Sequence, residues 1–260
     1  MLTYPQIDPV AIALGPLKIH WYGLMYLLGF TAVWFLGQKR AKNCYSVIKP
    51  EAIEDMVYYG ALGVILGGRI GYILFYNFST FINNPLLIFR VWEGGMSFHG
   101  GMIGVFVAMW WFAKKHNTTL FSLTDILAPL TPIGLGLGRI GNFINAELWG
   151  RTSDVSWAMV FPGGGPLPRH PSQLYEALLE GLVLFIIMWL YTNKQRPVMA
   201  PTGLVLALYG SFRFFIEFFR MPDAHLGYLA LDWVTMGQIL SIPMILIGSL
   251  LFIYAHKKTQ

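Results

Sequence analysis

The sequence predicts an all-α, polytopic integral membrane protein of about seven transmembrane helices, with its N-terminus periplasmic and its C-terminus cytoplasmic. Three observations predict it. Only 12% of the 260 residues are charged and 55% are hydrophobic, whereas a soluble domain carries about 25% charged residues. Seven apolar runs each approach the roughly 20 residues that a span requires. Lysine and arginine crowd the loops on one side of those runs, which marks that side as cytoplasmic.

The runs fall near residues 18–38, 55–77, 96–113, 122–144, 173–192, 202–219 and 233–255. The opening MLTYPQIDPV has no basic n-region and no cleavage site, so the first run is expected to stay as a span. Pro50, ahead of the acidic turn Glu51 to Asp55, opens the second. That helix carries Gly60, Gly63, Gly67, Gly68 and Gly71, a spacing that lets helices approach closely in lipid. Ser122 with Asp125 reads as a capping box at the start of the fourth, and Pro129 and Pro132 should kink it. The stretch around 146–171 reads as a periplasmic insertion between the fourth and fifth spans, within a single membrane domain over 1–260. No internal repeat is evident, which counts against a transporter built from inverted halves.

Orientation follows from the loops. Lys39, Arg40, Lys42, Lys49, Lys114, Lys115, Lys194, Arg196, Lys257 and Lys258 fall on one side, against Arg90, Arg151, Arg169 and Arg220 on the other. The net charge of +5 is scattered between apolar runs rather than gathered on a face, so nucleic acid is not the expected partner. The one cysteine, Cys44, excludes an internal disulfide and should stay reduced in a cytoplasmic loop.

The expensive residues cluster. Arg139, Asn142 and Asn145 follow along one side of a helix end; Gln173, Glu176 and Glu180 share a face of the fifth span; Tyr209, Arg213 and Glu217 share a face of the sixth, with Arg220 extending it. His99 sits among glycines in GGMSFHGG, where a ligand or another backbone could approach closely. By this topology all of them face the outer leaflet. A charge at the bilayer centre costs about 2.5–3.5 kcal/mol on insertion scales, so several at one depth need a shared purpose. Plainer readings stand beside this one. Arg213 and Glu217 could be a structural ion pair; Arg90, Arg151 and Arg169 could be solvated or on headgroups; Arg69 could pack helices or touch a headgroup. Trp21, Tyr22 and Trp92 read as interface belt residues, with Tyr26 able to serve in both roles.

Arginines at the outer leaflet suit a phosphate held bidentately, and a neutral histidine can take a proton from a nucleophile. No serine nucleophile elbow and no metal-ligand spacing is present, and the outward-facing regions contain no cysteine, which excludes a covalent cysteine enzyme. From the residues alone, a phospholipid-handling membrane enzyme and a transporter both stand. A lipid flippase lined by arginine and glutamate, and a scaffold that binds anionic lipid, are the alternatives.

The stretch GRIGNFINAELWG, Gly138 to Gly150, resembles the signature of the prolipoprotein diacylglyceryl transferases, Gly-Arg-x-Gly-Asn-Phe-x-Asn-x-Glu-x-x-Gly, and meets every fixed position. Further similar stretches are HWYGLMY at 20–26, GGRIGYILFYN at 67–77, GGMSFHGG at 94–101, RHPSQLYEALLEG at 169–181 and YGSFRFFIEFFRMPD at 209–223, so the resemblance covers nearly the whole chain in order. The 151–168 region is shorter than in some enterobacterial members.

The resemblance implies transfer of the diacylglyceryl group of phosphatidylglycerol to the lipobox cysteine thiol of prolipoproteins. A thioether forms and glycerol phosphate leaves, in the first step of bacterial lipoprotein maturation. It places the enzyme in the bacterial inner membrane with its active site toward the outer leaflet, and implies no metal and no organic cofactor. His99, Arg139 and Arg213 become the expected catalytic residues. Tyr26, Arg139, Asn142, Asn145, Glu147, Tyr209, Glu217 and Arg220 become the expected phosphatidylglycerol site. Within it, Arg139 and Arg213 would hold the phosphate, His99 would activate the thiol, the asparagines would orient the headgroup, and Glu147 and Glu217 would position the arginines.

Overall fold

A computed structural model describes residues 2–15, 17–42, 46–90, 94–222, 227–229, 231 and 233–258; Cys44, Trp92 and Asp223 lie outside the described residues. In chain order the elements are β1 (Leu2–Thr3), β2 (Val10–Leu14), β3 (Leu17–His20), α1 (Trp21–Ala41), α2 (Pro50–Tyr76), α3 (Phe78–Asn83), a 3-10 turn (Pro85–Phe89), α4 (Phe98–Lys115), α5 (Leu120–Leu127), α6 (Thr131–Ile144), β4 (Met159–Val160), α7 (Ser172–Glu176), a π-helical segment (Ala177–Val183), α8 (Leu184–Tyr191), α9 (Ala200–Ile216) and α10 (Met236–Lys257). They divide into two compact units, Trp34–Leu123 and the remainder, Met1–Val33 with Thr124–Gln260. Among the described residues, α2, the continuous helix Ser172–Tyr191 and α10 are long and apolar enough to cross a membrane, and the bent pair α5–α6 makes up to four.

The unit Trp34–Leu123 is built on the α2–α4 contact. A methyl group on Gly63 would stand 2.7 Å from the Gly104 carbonyl oxygen, and one on Gly71 would stand 2.7 Å from the Gly100 Cα. Backbones therefore touch, as the glycine spacing of the second run leads one to expect. Gly104→Ala is expected to force the helices apart and cost about 1–3 kcal/mol of stability. Gly60→Ala is the control, because a methyl there meets only Met109 Cε at 3.7 Å. Melting temperatures of the two variants in detergent check this; equal values would show that the contact is not tight.

The same contact decides between the two readings of the glycines in GGMSFHGG, close approach of a ligand or of another backbone, in favour of the backbone. Gly100 packs on Gly67 and Gly71, Gly101 faces α2, and a methyl on Gly95 would overlap the Tyr72 ring. These three glycines serve helix packing and a turn, not room for a ligand. Arg69 is also neither a headgroup contact nor a helix spacer. It is 3% exposed, and its guanidinium donates to the carbonyls of Gly94 at 2.5 Å, Gly95 at 3.3 Å, Ile88 at 3.4 Å and Leu87. A buried cation is satisfied here by carbonyl dipoles, and it gathers the loop that precedes α4.

In the other unit the first apolar run opens as a strand. β2 and β3 form an antiparallel hairpin, and β1 pairs in parallel with β4, so the chain adds small sheets to its helices. The fourth run is broken, α5 and α6 meeting at 52° across Pro129 and Pro132 as those prolines require. The expected Ser122–Asp125 capping box does not form. Thr119 Oγ1 accepts the Ser122 N–H at 3.1 Å instead. Asp125 turns to another helix start, accepting the N–H groups of Met199 at 2.8 Å and Thr202 at 2.9 Å and the Thr202 hydroxyl at 2.5 Å. The carboxylate thereby fills donors that the first turn of α9 leaves open.

Candidate active site

α6 reaches the site because two glycines let it lean on the π-helical segment. A methyl on Gly181 would stand 2.6 Å from the Gly136 Cα. Arg139 lies about one turn beyond Gly136, so it meets the carboxylates on that same segment's face. Its Nε stands 2.9 Å from Glu176 Oε2, and its Nη2 stands 3.8 Å from Glu180 Oε2. π-Helical turns inside helices are frequent at functional sites.

Glu176 is the hub. It is fully buried, and besides Arg139 its Oε1 takes Arg213 Nη1 at 2.7 Å and Arg220 Nη1 at 2.9 Å. Glu217, 5% exposed, receives Arg213 Nη2 at 2.9 Å on Oε1 and faces Arg220 Nε at 3.7 Å with Oε2. Three arginines thus interleave with three glutamates, Glu176, Glu180 and Glu217. Glu176 and Glu217 meet the close pairing that charges this buried need, whereas both Glu180 oxygens are buried without a hydrogen-bond partner among the described residues. The arginines are not equally committed. Arg213 spends both Nη groups and Arg220 is wedged between two acids. Among the described residues, Arg139, with 19% of its side chain exposed, makes only its Nε contact within hydrogen-bond distance of a carboxylate.

The signature's last residues make a shelf beside this cluster. Glu147 sits between Ala146 (φ 53°) and Leu148 (φ 58°), both in the left-handed region that costs a non-glycine residue about 1–2 kcal/mol. Strain of this kind persists only where neighbours impose it. Here Gln173 Nε2 donates to the Glu147 carbonyl at 2.6 Å and Ser172 Oγ to the Leu148 carbonyl at 3.1 Å. The Glu147 carboxylate accepts Asn142 Nδ2 at 2.7 Å and Asn145 Nδ2 at 3.3 Å. Glu147 thus contacts the asparagines, while Glu176 and Glu217 meet the arginines.

The tyrosines follow. The Tyr22 ring lies on Gly141, where a methyl would come within 2.8 Å of it, and its hydroxyl is 3.4 Å from that of Tyr26. Tyr22 thus packs on α6 of the signature and is not a belt residue alone. Tyr26 is 47% exposed. Tyr209, half-buried, faces Glu180, Arg213 and Arg139. His99 belongs to the other unit, exposed in the first turn of α4 behind the Ser97 cap.

Arg151 and Arg169 are framework, not solvated charges. Arg151 donates to the carbonyls of Arg220 at 2.8 Å and Glu217 at 3.1 Å; Arg169 donates to those of Gly164 at 2.8 Å and Gly150 at 3.3 Å. The insertion is also closed by a relay: Trp157 Nε1 donates to the Tyr175 hydroxyl at 2.6 Å, which lies 3.1 Å from His170 Nδ1. Burial holds His170 below the usual histidine range against the pull of Asp154, which favours its neutral ring.

The family model described as prolipoprotein diacylglyceryl transferase matches residues 9–254. The phosphatidylglycerol–prolipoprotein diacylglyceryl transferase of Pseudomonas aeruginosa is 61% identical over 258 residues, covering 99% of this chain and 97% of that protein. Those of Oleidesulfovibrio alaskensis and Pseudomonas fluorescens are 61% and 58% identical, covering 100% and 99% of this chain and 97% of each relative. With its signature meeting every fixed position and nearly its whole length matched, the chain belongs to the prolipoprotein diacylglyceryl transferase family.

Proposed function

We propose that the arginine–glutamate cluster holds the phosphate of phosphatidylglycerol, and that diacylglyceryl transfer to a prolipoprotein takes place against it. The activity comes with the family: the chain is a transferase of lipoprotein biosynthesis. What supports placing its chemistry here is the outer edge of Arg139, partly exposed and committed to Glu176 only through Nε. A guanidinium edge of that kind matches two phosphate oxygens.

In this reading the lipobox cysteine thiol of the prolipoprotein loses its proton to His99. The thiolate attacks the glycerol carbon that bears the phosphate ester. The C–S bond forms, the C–O bond breaks, and glycerol phosphate leaves with the electron pair. Arg139 and Arg213 stabilise the charge that develops on the leaving oxygen. Asn142 and Asn145, steadied by Glu147, orient the headgroup, with Tyr26, Tyr209 and Arg220 as further contacts. The nucleophile arrives with the substrate, so the site needs no cysteine of its own. The seven apolar runs are read as seven spans of a single inner-membrane domain over 1–260, N-terminus outside, with the active site toward the outer leaflet; the asymmetry of lysine and arginine supports this.

The test uses purified protein in nanodiscs with phosphatidylglycerol labelled in its headgroup glycerol. A lipobox peptide, and the same peptide with serine for cysteine, are the acceptors. Release of labelled glycerol phosphate that requires the cysteine, with a diacylglyceryl mass gain on the peptide, is expected. Release with either peptide would mean phospholipase chemistry, and no release from folded protein would revive the flippase and scaffold readings. In the same assay His99→Gln should lose about 10²–10⁴-fold at neutral pH, the usual worth of a general base. It should recover toward alkaline pH, because a free thiol ionises near about 8.5. Near-normal turnover at neutral pH would remove His99 from that role.

A further inference from the structure

The first turn of α10 meets the cluster at one residue. Thr235 caps that helix, its Oγ1 accepting the Gln238 N–H at 3.3 Å while Gln238 Oε1 accepts the Thr235 N–H at 3.0 Å. Thr235 is 3% exposed and Gln238 fully buried, so the turn is fixed in place. Between them Gly237 faces Glu217. A methyl group on Gly237 would overlap Glu217 Oε1, and would stand 2.5 Å from its Cδ and 2.9 Å from its Cγ.

A flexible acid could normally swing aside. Glu217 cannot do so without loss: Arg213 holds its Oε1, Arg220 faces its Oε2, and its own carbonyl is bound by Arg151. The other close glycines of this helix pair, Gly203, Gly210 and Gly248, abut backbone or apolar side chains across α9 and α10. Gly237 differs because its close neighbour is the carboxylate that orients Arg213. The capping box does not call for glycine at this position, so the requirement comes from Glu217.

We propose that Gly237 is a positioning residue for the transfer, seating the Glu217 carboxylate against α10 and through it fixing Arg213. This rests on the reading that Arg213 serves the phosphate. The experiment compares Gly237→Ala, Glu217→Ala and the double variant by kcat, KM and thermal unfolding, using phosphatidylglycerol and the lipobox peptide. Gly237→Ala is expected to lose at least tenfold in kcat with little change in peptide KM. The double variant is expected to match Glu217→Ala alone in both kcat and unfolding, because the truncation removes Oε1, Cδ and Cγ, the three atoms that the methyl would meet. Wild-type kcat in Gly237→Ala would overturn the proposal, as would losses that multiply in the double variant as independent sites do. If Gly237→Ala does not fold, the comparison between Glu217→Ala and the double variant decides: the alanine at 237 costing nothing supports the proposal, and a further loss overturns it. Arg213→Lys in the same assay separates the two readings. Full activity there sinks the phosphate assignment itself, whereas an inactive Arg213→Lys beside an active Gly237→Ala sinks only the role of Gly237.

Discussion

Glu176→Gln is expected to be the most damaging single change in this chain. The amide keeps the shape and one acceptor but removes the negative charge on which Arg139, Arg213 and Arg220 all close. Taking one partner from a buried ion pair costs about 3–5 kcal/mol, because the remaining charge stays buried and unpaired. Three guanidiniums would then share Glu180 and Glu217, and Arg139 would lose its only contact within hydrogen-bond distance. Transfer should fall by about 10²–10³-fold, the scale seen when one oriented donor to a developing oxyanion is lost. Two measurements check it: unfolding in detergent, expected to shift down, and turnover of phosphatidylglycerol with the lipobox peptide. A stable variant with wild-type turnover would mean that Glu176 does not organise the arginines.

Arg139→Lys comes next. Lysine carries the same charge but offers a point donor on a flexible stem, not a fork, and it would settle onto Glu176 or Glu180. The loss, about 10²–10³-fold, should fall on kcat more than on KM, since the lost interaction strengthens as charge develops on the leaving oxygen. Folding should be nearly unaffected, which separates this variant from Glu176→Gln. A loss confined to KM would assign Arg139 to ground-state lipid binding, and a wild-type rate would sink its place in the phosphate clamp.

Much of this was legible in the residues, and what was not has physical causes. Pro129 and Pro132 announced the break in the fourth run because proline cannot continue a helix. The glycines of α2 announced a close helix contact; that Gly100 and Gly104 were the other half of it was hidden by their nearness to His99. The stripes through Arg139, Glu176 and Arg213 pointed to one cluster, but not to Glu176 as its hub. Which of three carboxylates stands among the arginines depends on how far Gly136 and Gly181 let α6 approach, and on the π-helical register. The plainer readings offered for Arg69, Arg151 and Arg169 fail for a common reason. Sequence displays their charge, while their partners are backbone carbonyls that carry no sequence signal. Tyr22 was taken for a belt residue because an aromatic at a helix end looks the same in either role; only its seat on Gly141 distinguishes it. The short strands were invisible because two to five residues carry too little periodicity to register.

The pairing of Arg139, Arg213 and Arg220 with Glu176 and Glu217 bears on turnover. The lipid that enters carries one phosphodiester charge, whereas the glycerol phosphate that departs is a monoester with about −1.5 to −2 charges near neutral pH. A strongly cationic pocket would grip that product more tightly than the substrate and stall between cycles. On the proposed phosphate site, guanidiniums already paired with carboxylates would steady the leaving oxygen at the moment of bond breaking and still let the more highly charged product escape to water. Product inhibition by glycerol phosphate should accordingly be weak in the native enzyme, and stronger in any variant that drops an acid and keeps the arginines in place.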